Sequence, residues 1–119
     1  MTLEQVIIIS QVKFASEFWK KIFQAQSIQT LIVDDFTSFA HFIDDLNPEL
    51  VMVDLKLAQL PTFDENFLRE IKKAKADYSL LFLGTKEEWE ENQKYHQLGN
   101  HLETPIALAT AVETIKTLL

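Results

Sequence analysis

The sequence predicts an open, doubly wound α/β fold in which helices cover both faces of a five-stranded parallel sheet. Four short apolar runs are nearly continuous in Val, Ile, Leu, Met and Phe, as expected for strands buried on both faces. Stretches with helical spacing of apolar residues separate these runs. With 119 residues, 47% of them hydrophobic, residues 1–119 are expected to form one domain with a sizeable core.

The strands are predicted from the apolar runs in chain order. The first four cover residues 6–10, 30–34, 50–55 and 80–84. A fifth, shorter strand is predicted at 101–104, directly before a proline. All three prolines fall at boundaries between elements, where the missing backbone N–H is tolerated. Strand and helix therefore alternate through the chain, which favours right-handed crossovers in a single parallel sheet.

The helices are predicted from the spacing of their apolar residues. The first has one broad apolar face, formed by Phe14, Phe18, Trp19, Ile22 and Phe23. The second repeats this spacing over residues 36–46, and the last does so over residues 106–119.

The third and fourth helices have terminal signals and one open question each. Asp64 is predicted to be the N-cap of the third helix, with lysines near its end. Phe63 would then lie in the preceding loop, exposed near the carboxyl edge of the sheet. The fourth helix is predicted over residues 86–97 and is polar apart from Trp89. Trp89 is either an exposed interface residue or packs back onto the fourth or fifth strand.

Composition excludes several classes of function. The net charge is −7, with 11 basic and 18 acidic residues, so the domain alone is not expected to bind nucleic acid. No cysteine is present, which excludes thiolate chemistry and fits a cytoplasmic location. Two glycines cannot form a glycine-rich phosphate loop. No membrane span or signal peptide is recognised, and no cofactor or metal is expected.

Two segments resemble a known family. NPELVMVDLKL (47–57) resembles the third-strand region of CheY-like response-regulator receiver domains, in which a strand ends in the phospho-accepting aspartate. Asp54 matches that position. GNHLETPIAL (99–108) resembles the segment in which a glycine leads into the fifth strand and a Lys-Pro pair follows. The resemblance spans the whole chain and implies the flavodoxin-like (βα)₅ fold.

The resemblance also implies a phosphorylation pocket of five groups, and this chain departs from it. An active receiver has two acids after the first strand, which hold Mg²⁺ with the acceptor aspartate, and a lysine before the late proline. Here Ser10 and Gln11 occupy the acid positions, and Thr104 occupies the lysine position. The remaining group is a hydroxyl after the fourth strand, where ungapped alignment gives Gly84 and a one-residue shift gives Thr85.

The adjacent acids Asp34 and Asp35 resemble a metal site but are predicted not to be one. They lie about twenty residues before Asp54, which in the receiver pattern places them at the end of the second strand. In this topology the first strand separates the second strand from the third. We therefore expect Asp35 or its neighbours to cap the helix that begins near Thr37.

These departures predict a pseudo-receiver that acts by protein–protein interaction in bacterial two-component-type signalling and is not an enzyme. In the family, the fourth helix, fifth strand and fifth helix form the usual partner face and a possible homodimer interface. The expected contact residues on that face are Trp89, His96, His101 and Glu103. His101 falls near the family's aromatic switch position, although a surface imidazole is the simpler interpretation.

Two alternatives remain open. One is a working receiver in which Asp54 is phosphorylated with help from Thr85 and a displaced lysine, Lys56 or Lys86. The other is a flavodoxin-like small-ligand binder that uses Ser10, Ser16 and the N-terminus of the first helix.

Overall fold

A computed structural model describes residues 5–33, 39–60, 63–73, 78–104 and 108–118. It contains a five-stranded sheet in which every neighbouring pair of strands is parallel. The strand order is β2-β1-β3-β4-β5, which confirms the predicted doubly wound α/β fold. The strands are β1 (Gln5–Ile9), β2 (Gln29–Val33), β3 (Leu50–Asp54), β4 (Ser79–Gly84) and β5 (Asn100–Glu103).

Five α-helices follow the strands in the described part of the chain. They are α1 (Lys13–Ala25), α2 (Phe39–Leu46), α3 (Phe63–Lys73), α4 (Lys86–Glu91) and α5 (Leu108–Leu118). Short 3₁₀ turns at Leu55–Gln59 and Gln93–Tyr95 complete the connections. Among the described residues, no helix is both long enough and apolar enough to cross a membrane.

The two faces of the sheet carry separate hydrophobic clusters because successive side chains on a strand point to opposite sides. One cluster joins Ile7 and Val53 to α3 and to Tyr95. The other joins Ile8 and Met52 to Trp19 and Phe23 of α1 and to the start of α5. Both clusters are buried, which explains why the central strands β1, β3 and β4 are almost wholly apolar.

The start of α1 differs from the prediction. Phe14 was assigned to the apolar face of the helix, but 85% of its surface is exposed, and only Trp19, Ile22 and Phe23 of that set are buried. Phe14 lies in the first turn of α1, shortly after β1 ends, and it belongs to neither hydrophobic cluster of the described residues. Its helical spacing is correct, but its side chain does not pack on the core.

The start of α3 also differs. The helix already includes Phe63, so Asp64 lies in the first turn and the predicted N-cap role is wrong. Phe63 is buried and stacks on Phe67 with 5.5 Å between ring centroids, so the predicted exposed loop position is wrong as well. Asp64 instead accepts hydrogen bonds from the Tyr95 hydroxyl and the Lys94 ammonium group.

The predicted helix over 86–97 ends early, at Glu91. The Asn92 side chain donates a hydrogen bond to the Glu88 carbonyl oxygen (2.7 Å), and a 3₁₀ turn follows. This tighter turn directs Tyr95 into the core, where it packs between Phe67 and Phe82. Insertion of Tyr95 provides the physical reason for ending the helix there.

Candidate functional site

Asp54 ends β3 at the carboxyl edge of the sheet, where parallel α/β folds place their sites. It is 7% exposed. Its Oδ1 accepts a hydrogen bond from the Lys56 backbone N–H (2.9 Å), and its Oδ2 accepts one from the Ser10 hydroxyl (3.0 Å). The carboxylate therefore caps the following 3₁₀ turn with one oxygen and joins β3 to the end of β1 with the other.

Ser10 lies directly after β1 and is as buried as Asp54. Its backbone N–H donates to the Val33 carbonyl oxygen (3.0 Å), which continues the β1–β2 pairing by one residue. Its hydroxyl donates to Asp54 and accepts from the Val12 N–H (3.1 Å). A neutral donor thus holds the aspartate at a position where the receiver pattern has an acid, and Gln11 beside it is exposed.

No acid cluster assembles around Asp54 in the part of the chain that the structure describes. No group of three His, Cys, Asp or Glu side chains there could hold a metal ion. Asp34 and Asp35 lie outside the described residues, so the prediction that they cap a helix stays a prediction. One buried carboxylate that already accepts two hydrogen bonds is a poor site for Mg²⁺, which prefers several oxygen ligands and retains its waters.

Gly84 ends β4 and leaves no room for a side chain. A Cβ atom at this position would lie 2.8 Å from Leu55 Cδ1 and 3.0 Å from Leu55 Cβ. Leu55 directly follows Asp54, so the residue next to the aspartate fills the space beside Gly84. A hydroxyl residue at position 84 would therefore need Leu55 to move.

Thr85 is the hydroxyl that follows β4, and it already has a structural role. Its Oγ1 accepts a hydrogen bond from the Glu88 N–H (3.1 Å), and Glu88 Oε1 accepts one from the Thr85 N–H (2.8 Å). This capping box starts α4. The sequence signal for it, Thr followed three residues later by Glu, is present but was not used in the sequence analysis.

Thr104 follows β5, and its backbone N–H donates to the Gly84 carbonyl oxygen (2.9 Å). It is half-buried and lines a small cavity of about 90 Å³ together with Ser10, Asp54 and Lys56. The structure therefore brings together three of the predicted pocket positions, Ser10, Asp54 and Thr104. The cavity contains a hydroxyl where the receiver pattern has a lysine.

A larger groove of about 340 Å³ opens beside this cavity, and the sequence analysis did not identify it. It shares Ala15, Trp19, Lys56 and Thr104 with the small cavity. Its remaining lining residues are Phe14, Phe18 and Thr85. The only signal in the sequence was the apolar spacing of α1, which was assigned wholly to the core.

Three of the predicted contact residues come together, namely Trp89 of α4, His96 after the second 3₁₀ turn and His101 of β5. We call these three residues and Glu103 of β5 the α4–β5 face. The Trp89 ring stacks on the rings of His96 (4.0 Å between centroids) and His101 (5.0 Å). Trp89 also packs against Phe82 of β4, so the interpretation that it packs back onto the sheet is confirmed.

The two histidines of the α4–β5 face are fixed by backbone hydrogen bonds. His101 Nε2 lies 2.8 Å from the Gly84 carbonyl oxygen, and His96 Nε2 lies 2.8 Å from the Trp89 carbonyl oxygen. Because a carbonyl oxygen only accepts, each Nε2 must carry the proton in these bonds. His101 is half-buried, whereas His96 and Glu103 are exposed.

Comparison with known proteins identifies the fold. No protein-family model matches the sequence, and no curated protein is similar to it. A CheY-like response-regulator receiver domain from Methylobacillus flagellatus matches with a TM-score of 0.73 and 21% identity, over 99% of this chain and 100% of that one. The structure of a response regulator receiver modulated diguanylate cyclase from Pelobacter carbinolicus matches with a TM-score of 0.74 and 18% identity, over 98% and 92%.

A third similar structure is the inactive form of the regulatory domain from the repressor of iron transport regulator (RitR). Its TM-score is 0.80 at 11% identity, over 97% of this chain and 94% of that one. These structures share the CheY-like receiver fold with this chain, as the motifs around Asp54 and Thr104 predicted. At such low identity, the likeness concerns the fold alone.

Proposed function

We propose that residues 1–119 form a pseudo-receiver, a cytoplasmic regulatory module of bacterial signalling that acts through protein contacts and not as an enzyme. In this proposal Asp54 is not phosphorylated in a Mg²⁺-dependent reaction. The observation that carries the proposal is the hydrogen bond from Ser10 to Asp54. It places a neutral donor where the transfer of a phosphoryl group requires a metal-binding acid.

The electrostatics of the pocket support this proposal. Phosphoryl transfer depends on cations that neutralise the charge developing on the phosphoryl oxygens. A receiver supplies them as Mg²⁺ and a lysine, but here Thr104 occupies the lysine position and Ser10 an acid position. Lys56 is the only basic residue that lines the cavity around Asp54, among the residues that the structure describes. Its hydrogen bond to Asp54 is donated by the backbone N–H and not by the ammonium group.

The state of Thr85 also supports the proposal. In a receiver, the hydroxyl after the fourth strand moves onto the phosphoryl group and changes the neighbouring face. Here that hydroxyl caps α4, and its withdrawal would cost about 1 kcal/mol, the usual value of an N-cap. If the chain were a working receiver that used Thr85, it would have to meet this cost and would still lack the metal site.

Partner proteins are proposed to contact the α4–β5 face, which could also support a homodimer. Its polar groups are the exposed His96 and Glu103, while Trp89 supplies a half-buried aromatic surface. This face is therefore suited to a polar, partly aromatic contact rather than to a large hydrophobic interface. Contact with nucleic acid or membrane is not proposed.

The test is the intact mass of the protein after incubation with acetyl phosphate and Mg²⁺. Neither wild type nor Asp54→Asn is expected to gain the mass of a phosphoryl group. A receiver with the complete pocket, treated in parallel, shows that the reagent is active. A Mg²⁺-dependent adduct on wild type that is absent from Asp54→Asn would refute the proposal and establish a working phospho-acceptor.

A further inference from the structure

We propose that the groove between the start of α1 and the carboxyl edge of the sheet binds a small molecule with an apolar, preferably aromatic, body and a carboxylate group. This inference goes beyond the proposed function and does not depend on it. The groove lies on the side of α1 that faces Thr85 and Thr104, and it adjoins the small cavity that Ser10 and Ser16 line.

Size and shape are the first argument. The groove of about 340 Å³ lies within the range of roughly 300–1,000 Å³ that is typical of small-ligand sites. The small cavity of about 90 Å³ beside it shares four lining residues with it, so the two spaces adjoin. A ligand in the groove can therefore extend toward the small cavity.

The apolar wall is the second argument. Three aromatic side chains of α1 line the groove, namely the exposed Phe14, the half-buried Phe18 and the buried Trp19. Phe18 and Trp19 already pack edge to face, with 5.4 Å between their centroids. Most of the Phe14 ring is exposed to solvent, and a ligand ring placed against it would remove apolar surface from water.

The polar groups define the charge of the ligand. Lys56 is the only charged residue that lines the groove among the described residues, and the hydroxyls of Thr85 and Thr104 accompany it. The backbone of Lys56 is fixed by its hydrogen bond to Asp54, so its side chain begins at a defined point on the rim. The ammonium group of a lysine and the hydroxyls of two threonines can all donate hydrogen bonds, which suits a carboxylate, a group that only accepts them.

Asp54 restricts how deeply the carboxylate can lie. It lines the small cavity but not the groove, and both of its oxygens already accept hydrogen bonds. Its negative charge would repel a second carboxylate in that cavity. The ligand carboxylate is therefore placed at the rim near Lys56, and its neutral part faces inward.

An unpartnered hydroxyl gives independent support for an occupant. Ser16 is 3% exposed and lines the small cavity, and its Oγ has no hydrogen-bond partner among the described residues. Buried polar atoms are nearly always paired, so one without a partner needs an explanation. A neutral polar atom of the ligand that reaches the small cavity would complete this hydrogen bond.

The experiment uses isothermal titration calorimetry on the full chain with three probes of similar shape. These are phenylacetate, the neutral phenylacetamide and the cationic phenethylamine. Phenylacetate is expected to bind with a Kd of about 1 mM or lower, as suits a ligand of this size. The amide and the amine are each expected to bind at least about tenfold more weakly, since they lack the charge that Lys56 would pair with.

Matched variants locate the site. Lys56→Met is expected to weaken phenylacetate binding about tenfold, and Phe14→Ser about fivefold. Lys86→Met and Leu60→Ser are the controls, because they alter an exposed lysine and an exposed leucine that do not line the groove. Amide chemical-shift changes on titration should centre on Trp19, Lys56 and Thr104.

Three results would overturn the inference. The first is no saturable binding of phenylacetate up to about 20 mM, well above the expected range. The second is tighter binding of phenethylamine than of phenylacetate. The third is an equal loss of affinity in Lys56→Met and Lys86→Met. None of these results bears on whether Asp54 is phosphorylated, so the inference and the proposed function can fail separately.

Discussion

Ser10→Asp reintroduces an acid beside Asp54 and tests whether the serine hydroxyl is what makes this pocket stable without a metal. In the wild type, the hydroxyl donates to Asp54 Oδ2 over 3.0 Å, and both residues are buried. The substitution replaces this attractive contact with two carboxylates about 4 Å apart. Their repulsion is about 4 kcal/mol at the effective dielectric constant of about 20 that suits such sites.

Proton uptake sets a similar upper limit on the cost. Holding one ordinary carboxyl group protonated at pH 7 costs about 4 kcal/mol, from about 1.4 kcal/mol for each pH unit above its usual value near 3.9. Below about pH 4 the unfolded variant also holds that proton, as the folded variant does, so the penalty disappears. We therefore expect Ser10→Asp to lose 3–4 kcal/mol at pH 7 and about 1 kcal/mol or less at pH 4.

The assay is urea unfolding of wild type and Ser10→Asp at several pH values, with and without about 10 mM MgCl₂. Mg²⁺ should recover part of the loss in the variant and leave wild type unchanged, because binding to the folded state alone adds stability. Ser10→Asn is the control, since it is similar in size but uncharged. A loss that is equal in the two variants and independent of pH would refute the electrostatic reasoning.

Three further predictions concern the surroundings of the site. Thr85→Ala should lower the free energy of unfolding by about 1 kcal/mol, because it removes the cap of α4. Its control is Thr117→Ala, which alters an exposed hydroxyl within α5 and should change stability by less than about 0.5 kcal/mol. Equal losses of the two variants in urea unfolding would contradict this prediction. Gly99→Ala should lose more stability than Gly84→Ala in the same assay. At position 99 the new Cβ would lie 2.4 Å from the Leu80 carbonyl oxygen, which is rigid backbone, whereas at position 84 it would meet the Leu55 side chain. A larger loss for Gly84→Ala would contradict this account of the packing. Burial and the hydrogen bond to Asp64 raise the pKa of Tyr95, so above about pH 10 the unfolded chain ionises this phenol while the folded chain does not, and stability falls as the pH rises. Tyr95→Phe should remove about 1.4 kcal/mol per pH unit of that fall, and an unchanged slope would show that the hydroxyl is not held protonated.

The fold could be predicted because it depends on patterns that a sequence records directly. The continuous apolar runs that became β1, β3 and β4 reflect burial on both faces, and the alternation with helices reflects parallel connections. The errors lie at helix ends, where tertiary contacts decide. Tyr95 ends a helix early because its ring fits between two core phenylalanines, and no local pattern encodes that fit.

The site could be predicted only in part, because its geometry depends on which side chains meet. The positions of Ser10, Asp54 and Thr104 followed from the family resemblance, and the structure places all three around one cavity. The Ser10 hydrogen bond did not follow, since the two residues are 44 positions apart. The exposure of Phe14 was missed because helical spacing reports a face of the helix but not how much of its length packs on the core.

The presence of an aspartate at position 54 has a sufficient explanation in the folded structure. One carboxylate oxygen is needed to cap the turn that begins after β3, and the other is needed to accept the proton of a buried serine. An asparagine would supply only one acceptor oxygen, so either the Lys56 N–H or the Ser10 hydroxyl would lose its acceptor. An alanine would leave both donors without a partner at a buried site, at about 1–3 kcal/mol each. Because this hydrogen bonding requires two acceptor oxygens at one point, an aspartate is favoured there whether or not a phosphoryl group ever reaches it.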